Sequence, residues 1–112
     1  MLIYKIFRDD EWQVLQSMGE TTGAPIDVAD GFIHFSDATQ VKTTARLYFE
    51  GVQNLWLAAV DPAPLGDDLV WEKSRGGALF PHLFRSLKMI DVLWCNPLPL
   101  GADGHEFPKD LI

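Results

Sequence analysis

Cysteine is nearly absent from this sequence. Cys95 is the one thiol among 112 residues, which excludes an intramolecular disulfide and any cysteine-cluster zinc site. Positive charge is scarce as well: nine Lys and Arg stand against sixteen Asp and Glu, a formal net charge of −7. Phosphate backbones are held by cations that displace counterions, so this chain is a poor general binder of nucleic acid. No apolar run approaches the length of a membrane-spanning helix, so no membrane partner is expected. The start, Met1-Leu2-Ile3-Tyr4-Lys5-Ile6-Phe7, lacks the apolar stretch and small-residue cleavage site of a signal peptide, and the expected location is the cytoplasm. Gly-x-Ser-x-Gly is missing, which removes the commonest serine-hydrolase arrangement. No repeat, low-complexity tract or linker interrupts the chain.

What is present is ordinary for a folded domain. With 47% hydrophobic residues, residues 1–112 suffice for one domain with its own core. Residues 1–7 read as a strand. Trp12, Leu15 and Met18 recur every third residue behind an acidic run, and Gly19 marks the helix end. Residues 20–31, rich in Thr, Gly, Pro and Asp, read as a loop. Gly31-Phe32-Ile33-His34-Phe35 reads as a short strand, with Ser36 capping a helix over 37–49. That helix is expected to bury Val41, Ala45 and Tyr48. Leu55–Val60 is apolar on both faces, as a central, doubly covered strand would be. Further strands are expected at 69–72 and 89–95, a flexible turn over 74–82, and an irregular tail over 98–112. The sum is an α+β domain with about five strands and two or three helices.

Three patches could carry chemistry. In Gly31–Ser36, His34 ends a strand just before a helix start, where unpaired N–H groups attract an anion. A histidine bonded to a loop carbonyl fits the same place. In Val70–Gly77, Glu72 ends its strand beside Ser74-Arg75-Gly76-Gly77, as a general base or ribose-hydroxyl acceptor would. A solvated edge carboxylate paired with Lys73 or Arg75 fits the same place. The two glycines let backbone approach a ligand, but they lack the spacing of a nucleotide-binding fingerprint. In Phe80-Pro81-His82-Leu83-Phe84-Arg85, proline and flanking phenylalanines hold His82 in a semi-apolar wall, and a core histidine with a satisfied hydrogen bond fits the same place. His34, Glu72 and His82 could make a two-histidine, one-carboxylate set, but their spacings match no ligand motif and no metal is expected. His105, in the Gly/Pro-rich tail, is expected to be exposed. Cys95, within a predicted strand, reads as a small buried hydrophobe.

These stretches, with the N-terminal Ile-Tyr-Lys-Ile, resemble a small bacterial family called domain of unknown function 952. The resemblance runs from about Ile3 to Pro97. It implies a split, mostly antiparallel sheet of the ADP-ribosyltransferase-like kind, with NAD bound in a cleft between the halves. It further implies that Gly31–Ser36 is the second motif, with His34 at the position that stacks on nicotinamide. Glu72 supplies the residue type of the third motif, while His82 stands at its place. Where the transferase pattern has a histidine on the first strand, this chain has Tyr4-Lys5.

Two functions follow. One is an enzyme acting on an NAD-like N-glycosidic bond. His34, Glu72 and His82 would be catalytic, and Ser36, Arg75, Gly76 and Phe80 would hold a nucleotide of the NAD or ADP-ribose type. The other is a binding domain for a small ligand without chemistry. Both require His34 and His82 to face one cleft.

Overall fold

The computed structural model describes residues 1–111. Its centre is an antiparallel sheet in the order β4-β1-β5-β9, built from β1 (Ile3–Phe7), β4 (Ser36–Asp37), β5 (Leu55–Val60) and β9 (Val92–Leu98). A second antiparallel sheet has the order β3-β7-β6, from β3 (Ile33–His34), β6 (Leu69–Lys73) and β7 (Leu79–Leu83). Between β3 and β4 the chain passes from one sheet to the other at Phe35, whose N–H donates to the Pro81 carbonyl at 2.9 Å.

Side-chain alternation along the strands divides the core in two. Ile3 and Phe7 of β1, with Ala58 and Val60 of β5, face Ile33, Leu83 and Leu87, and Trp12 and Leu15 of α1 (Asp9–Met18) close that layer. Tyr4 and Ile6, with Leu55, Leu57 and Ala59, face Val41 and Ala45 of α3 (Val41–Tyr48). Strand β5 is thus covered on both faces, as its unbroken apolar run requires. Among the described residues no helix is long and apolar enough to cross a membrane.

Several local expectations are corrected. Residues 20–31 are more than a loop. They hold β2 (Glu20–Thr21), paired with β8 (Leu87–Lys88), and helix α2 (Pro25–Asp30). Proline opens α2, Asp27 accepts from the N–H of Ala24, and Gly31 ends it at a left-handed φ of +84°. Ser36 is no cap. It pairs with Tyr4 across β1 and β4, so its backbone is strand, and its hydroxyl meets that of Thr44 at 2.9 Å. Asp37 organises the turn into α3 instead, accepting from the N–H groups of Thr39 and Gln40 and from the Thr39 hydroxyl. Asp37→Ala is therefore expected to cost about 1 kcal/mol, read as a lower urea midpoint at unchanged slope.

Helix α3 ends at Tyr48 with Phe49, not Gly51, as its cap, and Tyr48, in the last turn below Val41 and Ala45, is 61% exposed because it lines an open cleft instead of the core. The expected flexible turn over 74–82 is half strand: β7 pairs with β6 through Lys73↔Leu79, leaving a short 3-10 turn at Arg75–Gly77. The last long strand begins at Val92, after a 3-10 turn at Met89–Asp91. The tail contains a small hairpin of β10 (Leu100–Gly101) and β11 (Gly104–His105). His105 is partly buried there and contacts the Val52 carbonyl through Nε2 at 2.8 Å. Residue 112, the end of the expected tail, lies outside the described residues.

Candidate functional site

A cleft of about 400 Å³ opens where the two sheets part, at the edge of β1. Lys5, Asp27, His34, Ser36, Arg75 and His82 supply polar groups to its wall, and Tyr48, Phe49 and Phe80 supply rings. That combination suits a small flat ligand carrying charge.

The two histidines come together because β3 and β7 pair in the register Ile33↔Leu83 and His34↔His82. Ile33 and Leu83 point into the core, so both imidazoles point the other way. Their ring centroids are 5.3 Å apart. Phe32 packs on both, stacking on His82 at 4.1 Å and meeting His34 at 4.6 Å.

His82 is 4% exposed, and its Nδ1 lies 2.8 Å from a carboxylate oxygen of Glu72. An ionised carboxylate only accepts, so Nδ1 is the donor of this bond, and in the neutral ring Nε2 is the acceptor that remains. Glu72 reaches the ligand space through His82; it is not itself part of the cleft wall. This is the geometry of a histidine general base oriented by a carboxylate.

His34 is tied differently. Its Nδ1 lies 2.6 Å from Asp27 and its Nε2 3.0 Å from Asp30. Asp27 is fully buried and also accepts from Lys5 Nζ at 2.7 Å and from the backbone N–H of Ala24 and His34. Burial pushes the Asp27 carboxyl up, but the His34 bond, the Lys5 charge and bond, and the Ala24 N–H bring it down to about 2.

Arg75 stands over the Phe80 ring at 4.8 Å and the Tyr48 ring at 5.8 Å, and donates to the Thr44 hydroxyl at 3.3 Å. The guanidinium is thus held at the cleft by its flat faces. Gly76 lies in the adjacent turn at φ +67°, outside the cleft wall. That left-handed φ is one glycine adopts without strain. Cys95 lies against the core, and burial pushes its thiol up to about 12, which makes it a poor nucleophile. Among the described residues no group of three or more His, Cys, Asp and Glu is arranged to hold a metal ion.

Of the residues expected at the site, His34, Glu72 and His82 converge, and Ser36, Arg75 and Phe80 line the same cleft. Sequence reasoning missed Lys5, Asp27, Asp30 and Thr44. Signals for two of them were present. Lys5 alternates with Ile3 and Phe7 on an apolar strand face, where a charge needs a buried partner. Proline two residues before Asp27 and glycine four residues after it frame a short helix.

The profile of a protein family of unknown function, DUF952, matches residues 6–95. The chain belongs to that family. Among solved structures, the X-ray crystal structure of protein CC0527 from Caulobacter crescentus is similar over 94% of this chain and 92% of that one, with 48% identity and a TM-score of 0.90. The solution NMR structure of CC0527 matches over 93% and 90%, with 49% identity and a TM-score of 0.83. No curated protein matches the chain. The family is thereby assigned, and the α+β fold is shared with a solved relative. What the cleft does is left to its own geometry.

Proposed function

We propose that the cleft binds a nucleotide of the NAD or ADP-ribose type, and that His82 and Glu72 serve cleavage of an N-glycosidic bond in it. Under this reading the fold is of the ADP-ribosyltransferase-like kind, a reading that the parting of the two sheets supports, and the protein works in the cytoplasm. The observation that carries the reading is Arg75, laid across two aromatic rings in the cleft that His82 also lines. A guanidinium meets a diphosphate through paired N–H donors, and aromatic walls accept a flat base.

In the reaction, water or an acceptor hydroxyl attacks the anomeric carbon. The carbon–nitrogen bond breaks, and its electron pair leaves with the base. His82 Nε2 takes the proton from the attacking oxygen, while Glu72 orients the ring and stabilises the imidazolium that forms. Glu72 is thus a positioning residue.

A second reading, binding without chemistry, is favoured by His34. Both its ring nitrogens face carboxylates, which leaves neither free to act on a ligand. Chromatography of NAD incubated with the protein separates the two readings: free nicotinamide marks the first, unchanged NAD the second.

Titration calorimetry tests the binding itself. NAD or ADP-ribose should bind, and Arg75→Ala should weaken binding at least about tenfold by removing a charge-assisted contact. At 100 times its dissociation constant the ligand should stabilise the fold by about 2.7 kcal/mol in thermal unfolding. A short single-stranded RNA should not bind, since the net charge of −7 repels a polyanion. RNA binding with steep salt dependence, or silence from both nucleotides, would overturn the proposal.

A further inference from the structure

We propose that Asp27 is a positioning residue of the cleft: its carboxylate sets the ring orientation and protonated nitrogen of His34 and the place of the Lys5 ammonium. The inference rests on the cleft being a ligand site, as argued above.

Asp27 has no exposed side-chain surface. One oxygen accepts from both the backbone N–H of His34, at 3.1 Å, and the ring Nδ1, at 2.6 Å. Main chain and imidazole of one residue are thereby fixed by one atom. The other oxygen accepts from Lys5 Nζ at 2.7 Å and Ala24 N at 2.8 Å. Four bonds exhaust what a carboxylate accepts. A carboxylate serving only to cap α2 would need Ala24 alone. Here half the bonds go to the side chains of Lys5 and His34, which both line the cleft.

The surroundings hold Asp27 in that place. Gly23 and Gly31 bracket α2 at φ of +96° and +84°, and Asp30, one turn on, meets the other ring nitrogen of His34. The two ring nitrogens face Asp27 and Asp30, the ring is tilted against Phe32 with centroids 4.6 Å apart, and it meets His82 in a T-shaped contact. Lys5 is 7% exposed, so its ammonium can enter a cleft wall only beside a fixed counter-charge.

Two readouts on the full chain test this. Long-range proton–nitrogen NMR reports which ring nitrogen of His34 is protonated, without any ligand. Calorimetry with ADP-ribose reports affinity. In the wild type, Nδ1 should carry a proton. Asp27→Asn should change the His34 nitrogen shifts and weaken ADP-ribose about tenfold. Asp30→Ala, which removes only the partly exposed partner, should leave Nδ1 protonated. An unprotonated Nδ1 in the wild type overturns the proposal, as does folded Asp27→Asn with unchanged ring shifts and affinity. Should Asp27→Asn fail to fold, the wild-type and Asp30→Ala spectra decide. Should neither NAD nor ADP-ribose bind the wild type, the functional reading fails, while the ring shifts still decide the role of Asp27.

Discussion

Asp27→Ala is expected to lower folding stability by about 3–5 kcal/mol, the cost of leaving a buried charge without its partner. Lys5 and Asp27 are both buried and meet at 2.7 Å. Removing the carboxylate strands the ammonium in a wall it shares with Ile6 and Phe35, and leaves the N–H groups of Ala24 and His34 without their acceptor. Adding Lys5→Met to Asp27→Ala should restore part of the loss, since the stranded charge is its largest source. Urea unfolding of the three variants measures this directly. A deficit below about 1 kcal/mol in Asp27→Ala would show that the pair contributes little.

The same residue sets an acid limit. The Asp27 carboxyl is held at about 2, below the ordinary 3.8. A value lowered by folding means that the charged form belongs to the folded state. Its contribution is complete above about pH 4 and is lost as pH falls through about 2, an interval worth about 2 kcal/mol. Wild type and Asp27→Ala should therefore converge by about that amount between pH 4 and pH 2. Parallel stability curves over that range would place the acid sensitivity elsewhere.

Gly23→Ala should destabilise by about 3 kcal/mol or more, against about 1 kcal/mol for Gly19→Ala. Both glycines are left-handed, at φ +96° and +78°, a conformation that costs any other residue about 1–2 kcal/mol. Only at Gly23 is space also lacking. An added Cβ would overlap the Asp27 carboxylate and lie 2.8 Å from its Cβ and Cγ. Relief would have to move Asp27, and with it the bonds to Lys5 and His34, so overpacking adds about 1–3 kcal/mol. At Gly19 nothing lies within 4 Å. Chemical denaturation of the two variants checks the ranking, and equal losses would mean that the hub yields without cost.

Local chemistry wrote part of this structure plainly into the chain. The apolar run Leu55–Val60 required cover on both faces, and the fold supplies it from Ile33 and Leu83 on one side and Val41 and Ala45 on the other. The three-residue recurrence of Trp12 and Leu15, stopped by a left-handed Gly19, is a helix and its end. The alternation of Phe32 and His34 with Ile33 put the two groups on opposite faces of a strand before any partner was known.

The site needed the tertiary structure. His34 and His82 are far apart in sequence, and only the β3–β7 register sets one across from the other. Strand pairing is a choice among long-range partners, and no local preference of either segment specifies it. Ser36 has the residue type and neighbours of a cap, yet pairing with Tyr4 claims its backbone for β4 and passes the turn to Asp37. Asp27 sits in a stretch whose Thr, Gly and Pro content reads as loop. It becomes the hub only because the fold brings Lys5 of β1 and His34 of β3 within reach of one buried carboxylate. Residue types could nominate the histidines and the glutamate. Which carboxylate holds which histidine was decided by packing, because burial makes a hydrogen bond obligatory and only the folded chain determines what is buried.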